Sequence, residues 1–149
     1  IYFAMRYITY VSVFRYLLPA MQVPAHCEEK TQVTSGKERL EQAIALWIMQ
    51  KRFTNTGITL DSLAAELNTN QTYLSRYINQ QMKLNFKLWI SNLRIDEARH
   101  LLLAYPNKPI AHIGEEVGLP NKGSFFRQFV NNTGITPGEY RKRGLENFS

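Results

Sequence analysis

Between residues 71 and 79 the sequence QTYLSRYIN combines the polar side chains of Gln71, Thr72, Ser75, Arg76 and Asn79 with the apolar Leu74, Tyr77 and Ile78. On an α-helix the apolar three share one face and leave the polar five on the other. Those five hold the donors and acceptors that read base edges in a DNA major groove. Arg pairs bidentately with guanine, Gln or Asn with adenine, and hydroxyls adapt to either. A merely solvated face has the same composition. Further on, KGSFFRQFV repeats the arrangement, with Phe125 and Phe129 inward and Lys122, Gly123, Phe126 and Arg127 outward; Ser124 lies in the same segment. Gly123 permits close backbone approach. Phe126 is turned about 100° from Phe125, which predicts an exposed ring beside Arg127 and contact with the C5-methyl of thymine. Packing against Val130 or a neighbouring helix is the alternative. Asn70 and Asn121 stand as N-caps, where helix N-termini meet phosphate. Arg141, Lys142 and Arg143 are three adjacent cations suited to phosphate contact, or to a solvated helix end.

No other constellation rises to chemistry. His26-Cys27, His100 and His112 lack metal-ligand spacing, so no metal and no cofactor is expected. Asp96-Glu97 and Glu115-Glu116 are adjacent on helical segments, which turns their carboxylates about 100° apart rather than into a dyad. No Gly-rich phosphate loop or nucleophile motif is present. The chain reads as no enzyme, with no catalytic residue. An enzyme fused to a binding domain, such as an alkyl-transfer repair protein, is disfavoured by the isolation of Cys27, the only cysteine. With 149 residues and 44% apolar content, the chain is long enough for one domain or two small ones without disulfides. A single cysteine points to a reducing, cytoplasmic setting. The net charge of +6 favours a polyanionic partner.

The elements that must position these residues are helical throughout. Ser35 and Glu38 form a capping box opening a helix over about 36–53, with Leu40, Ile44, Trp47 and Ile48 on one face. A short helix follows over about 60–67, then a turn at Asn68-Thr69-Asn70 and a helix over about 71–81. Phe86, Trp89, Ile90, Leu93, Ala98, Leu101 and Leu102 mark a longer helix over 86–104. Thr136 and Glu139 form a second capping box, with Pro137 at the first helical position, opening a last short helix that ends in Arg141-Lys142-Arg143.

These elements repeat. Leu63 and Leu67 recur as Ile113 and Val117, an offset of 50; Leu74, Arg76, Ile78 and Trp89 recur as Phe125, Arg127, Phe129 and Tyr140, an offset of 51. The inserted residue falls in the turn 118–121. Each unit is a short helix, a tight turn and a second helix, the helix-turn-helix layout. The fold class is therefore all-α, with two helix-turn-helix subdomains, 36–85 and 105–149, joined by a connecting helix over 86–104. At 1.5 Å per residue that helix spans roughly 28 Å, against about 34 Å for one turn of B-DNA. A connector of that length can set two recognition helices in consecutive major grooves. A helical bundle with a duplicated core is the alternative.

At these residues the chain resembles the DNA-binding domain of the AraC/XylS family of bacterial transcription regulators. The resemblance covers about 36–143. It rests on Tyr73-Leu74-Ser75-Arg76, on Leu93-Arg94-Ile95 with Ala98 and Leu101-Leu102, on 113–118, on 125–129 and on 134–141. It implies double-stranded DNA as partner, base-facing positions at Thr72, Ser75 and Arg76, and transcription control through a surface offered to RNA polymerase. The sequence departs from the family pattern at Lys83, where Gly is usual, at Asn70 (Ser), at Leu119 (Phe) and at Gly123-Ser124 (Ser-Tyr). A protein-interaction module that keeps the fold without base reading is the second reading.

Residues 1–23 differ in composition, with seventeen of twenty-three apolar or aromatic and only Arg6 and Arg15 charged. Arg6, Thr9, Ser12 and Arg15 wind across half of a helix and leave the other half apolar. This face is expected to serve a homodimer or other partner, or to be the end of a membrane tether or an in-plane membrane helix. Pro19, Pro24 and 28–32 read as a linker to residue 35. The start at Ile1 suggests a piece of a longer or processed protein.

Overall fold

The computed structural model describes residues 36–146, which form seven α-helices and one 3-10 turn, with no strand among them. The apolar segment 1–23, the linker, Ser35 of the first capping box and the pair His26-Cys27 lie outside the described residues. Two compact units divide the chain, one up to Ala45 and one from Leu46 onward. In the first, the opening turns of α1 (Gly36–Met49) bury Leu40 and Ile44 and pair Lys37 with Glu41 at 3.8 Å. Everything that follows lies in the second unit.

The first helix stops short of residue 53. Lys51 takes a left-handed conformation at φ 53°, and Arg52–Thr54 form the 3-10 turn. On an uninterrupted helix Trp47 and Phe53 would face about 120° apart. The break brings both into one core, with ring centroids 6.3 Å apart, and Trp47 also stacks on Trp89 at 5.9 Å.

The duplication is plain in the backbone. Helix α2 (Leu60–Glu66) recurs as α5 (Ile110–Glu116), and α3 (Gln71–Met82) recurs as α6 (Lys122–Thr133). Asn70 accepts the Tyr73 N–H at 2.7 Å and Asn121 accepts the Ser124 N–H at 2.8 Å, so both second helices carry the expected N-cap. Left-handed residues end equivalent segments: Asn68 and Gly118 after the first helices, Lys83 and Gly134 after the second. The copies differ where α2 and α5 begin. Thr59 and Ser62 make a reciprocal capping box, whereas Pro109 gives α5 no side-chain cap.

The connecting helix α4 (Phe86–Ala104) has the expected bounds, opened by Asn85, which accepts the Leu88 N–H. Its buried stripe differs from the expected one. Ile95 is fully buried and Leu93 only partly so. The helix serves two cores in succession, which is why no single stripe runs along it. Trp89 stacks in the first, while Ile95, Ala98, Leu101 and Leu102 join Ile113, Val117, Leu119, Phe125 and Phe129 in the second. Helix α7 (Pro137–Glu146) opens on the expected capping box. The Thr136 N–H donates to the Glu139 carboxylate at 2.9 Å and the Glu139 N–H to the Thr136 hydroxyl at 3.3 Å. It runs three residues past Arg143.

Candidate nucleic-acid interface

Leu74 and Ile78 are completely buried, and Tyr77 half-buried, so α3 turns its other side outward. There Gln71, Thr72, Ser75, Arg76 and Asn79 line one open groove of about 580 Å³. All five residues read from the sequence meet on it. Leu60 and Gln80 line it too, and neither was expected. Gln80 lies one helical turn after Arg76 and was accessible to the same periodicity. Leu60 enters through the packing of α2 on α3, which no local pattern reveals.

The second copy is poorer. Phe125 and Phe129 are completely buried, and Lys122, Gly123 and Arg127 are exposed. Ser124 is half-buried, its hydroxyl accepting from Gln128 Nε2 at 2.8 Å. Phe126 is not freely exposed. Its ring lies edge-on to Phe125 at 5.9 Å and packs against the second core, with the Lys122 ammonium 5.8 Å from its centroid. Only part of the ring stays open beside Arg127.

Charge sharpens the picture. Ion pairs join Lys51 to Glu97, Arg52 to Glu66, Arg99 to Asp96 and Lys108 to Glu116, and none of these residues belongs to α3 or α6. Among the described residues Arg76 and Arg127, equivalent in the two copies, enter no ion pair and keep their guanidinium groups in solvent. The three C-terminal cations divide. Lys142 and Arg143 are exposed, but Arg141 is half-buried and its Nη2 donates to the Lys108 carbonyl at 2.7 Å. That bond pins the segment between α4 and α5. Nearby, backbone and side-chain bonds from Thr136 hold the Glu139 carboxyl below the usual range.

No group of His, Cys, Asp or Glu among the described residues has the arrangement of a metal site. No described helix is long and apolar enough to cross a membrane. What the geometry offers is two polar, cation-bearing helix faces.

A family model described as a helix-turn-helix domain matches residues 63–143, more than half of the chain. The arabinose operon regulatory protein of Escherichia coli is 31% identical over 87 residues, covering 58% of this chain and 30% of that protein. The C-terminal domain of AraT, a response regulator from Geobacillus stearothermophilus, is 31% identical with a TM-score of 0.62, covering 76% of this chain and 88% of that one. The DNA-binding domain of AdpA, a global transcriptional factor solved with a target DNA, is 16% identical and shares the fold, with a TM-score of 0.64 over 73% of this chain and 95% of that one. The first curated relatives are much longer than the match: the chain spans 11%, 39% and 42% of three of them.

Proposed function

The chain belongs to the AraC/XylS family of helix-turn-helix transcription regulators, a non-enzymatic class, and from this we propose that it binds double-stranded DNA and reads a bipartite site through two adjacent major grooves. One observation carries the reading. The five polar residues of α3 line a single groove, and an equivalent helix, α6, is held by the same connector. Arg76 and Arg127 pair with guanine, and Gln71 and Asn79 with adenine. Thr72, Ser75 and Ser124 adapt through their hydroxyls. Lys122, Gly123 and the open part of Phe126 complete the second reader. Asn70 and Asn121 present helix N-termini to phosphate, and Lys142 and Arg143 add exposed cations. Arg141 contributes with whatever its bond to Lys108 leaves free. A surface for RNA polymerase, and dimerisation or membrane tethering through residues 1–23, complete the regulator in this reading.

Selection of bound duplexes from a random library tests it. The expected product is two half-sites in the same orientation about 10 bp apart, because the units repeat in tandem. Footprinting of one contiguous stretch of about 5 bp, or of inverted halves on a monomer, would overturn it. Binding that random duplex competes away fully would favour the interaction-module reading.

A further inference from the structure

The relative placement of the two readers depends on more than the connecting helix. Around its middle, α4 is bonded to both copies. Toward the first, Arg94 donates from Nε to the Phe53 carbonyl at 2.8 Å and from Nη2 to the Asn55 carbonyl at 2.7 Å. One turn on, Glu97 accepts from Lys51 at 2.6 Å. Toward the second, the Ser91 hydroxyl meets Gln128 of α6 at 2.6 Å and Asn92 meets Asn132 at 2.7 Å. The two copies also touch directly. Gly118, in the turn of the second copy at φ +82°, lies so close to Thr54 that a Cβ there would overlap the Thr54 carbonyl oxygen and stand 3.2 Å from Arg94 Nε. Burial pulls the Arg94 pKa below the usual arginine value.

We propose that Arg94 is a positioning residue for DNA recognition, bracing the 53–55 segment against the turn at Gly118 and so fixing the half-site spacing that the protein accepts. The inference rests on the bipartite reading above. The planar guanidinium suits the task because two of its donors meet two carbonyls in one fixed geometry, which a single ammonium cannot do. Without the brace the 53–55 segment loses two bonds to α4, while the Lys51–Glu97 bond, the stacking of Trp47 on Trp89 and the close approach of Thr54 to Gly118 remain. The reading face of the first copy stays intact while its angle to the second face is no longer fixed.

The test uses the 149-residue chain with Arg94→Met, which keeps most of the apolar stem, and Arg94→Lys. Both are measured on the duplex recovered by selection and on derivatives with one or two base pairs inserted or removed between the halves. One inserted pair turns the second half-site by about 35° and moves it about 3.4 Å. For the native chain that costs about tenfold or more in affinity. For Arg94→Met the expected penalty shrinks to about threefold or less, with affinity for the first half-site alone unchanged, and Arg94→Lys falls between. A DNA-free readout accompanies it: spin labels at Gln80→Cys and Asn131→Cys, equivalent exposed positions of α3 and α6, in a Cys27→Ser background. The distance distribution is expected to be narrow when Arg94 is present and broad in the Arg94→Met variant. Equal spacing profiles and equal distance distributions for native and variant chains would overturn the brace while leaving bipartite reading intact. A native chain indifferent to spacing would overturn both.

Discussion

Among the described residues Arg76 and Arg127 differ physically from Arg141, and replacing one of each kind separates binding from fold maintenance. Arg76 and Arg127 are exposed and bonded to no described residue, so truncation removes no internal interaction. Ala is also the better helix former, and the expected change in stability is within about 0.5 kcal/mol. All of the cost should appear in binding. Loss of a bidentate guanine contact is worth about 1–3 kcal/mol, or roughly 5- to 150-fold in affinity. It should vanish on duplexes whose guanine at that one position has already been replaced. Arg141 is the opposite case. Its guanidinium donates to the Lys108 carbonyl from a half-buried position. A charged hydrogen bond of this kind contributes about 1.5 kcal/mol, so Arg141→Ala should lower Tm by roughly 5 °C. Lys142→Gln and Arg143→Gln, at exposed sites, should leave Tm alone and flatten the salt dependence of binding by about one unit each. The assay is thermal melting beside fluorescence anisotropy on duplexes altered one base pair at a time, at fixed salt. If Arg76→Ala weakened all sequences alike, its guanidinium would be a phosphate contact. If it lowered Tm as far as Arg141→Ala, the division itself would be wrong.

Three further outcomes are expected. Lys83 ends α3 in a left-handed conformation at φ 55°, and Gly134 ends α6 at φ 82°, where a Cβ would meet nothing within 4 Å; Lys83→Gly should raise stability by about 0.5–1 kcal/mol and Gly134→Ala lower it by a similar amount, read by denaturant melting. Glu139 has a depressed pKa, so the stabilisation from its capping box is complete above the unfolded-state value and lost as pH falls through the folded-state value; Glu139→Gln should flatten this acid limb of the Tm profile, and an unchanged limb would assign it to other carboxylates. Phe126→Ala should cost about 1–2 kcal/mol, less than a fully buried Phe, and thymine-to-uracil replacement in the second half-site should weaken the native chain at one position but not the variant.

The repeat was legible because it is written in residues that face inward. Leu63 and Ile113, Leu74 and Phe125, Ile78 and Phe129 are all fully buried at matched offsets, so a hydrophobic period alone located four helices and the outward faces of α3 and α6. The Asn caps were equally local, each reaching a backbone N–H three residues on. What escaped were interactions between distant segments. The end of α1 depends on Phe53 turning back to reach Trp47, and the stripe on α4 depends on which core each turn meets. Neither is encoded in a window of consecutive residues.

Phe126 and Arg141 show that an outward helical position does not by itself keep a side chain in solvent. Helical spacing places each on a polar side of its helix, and from that position one was expected to touch a base and the other a phosphate. A long or broad side chain, however, can turn back onto the fold. Phe126 folds its ring down onto Phe125, and Arg141 extends to the Lys108 carbonyl. The short polar residues of α3 are not drawn in this way. Thr72, Ser75 and Asn79 stay where their Cα atoms put them, on the groove of α3. Reading a recognition face from sequence is therefore safest for its short side chains. It is least safe for the aromatic and basic ones, because these are the residues that a neighbouring core or carbonyl can recruit.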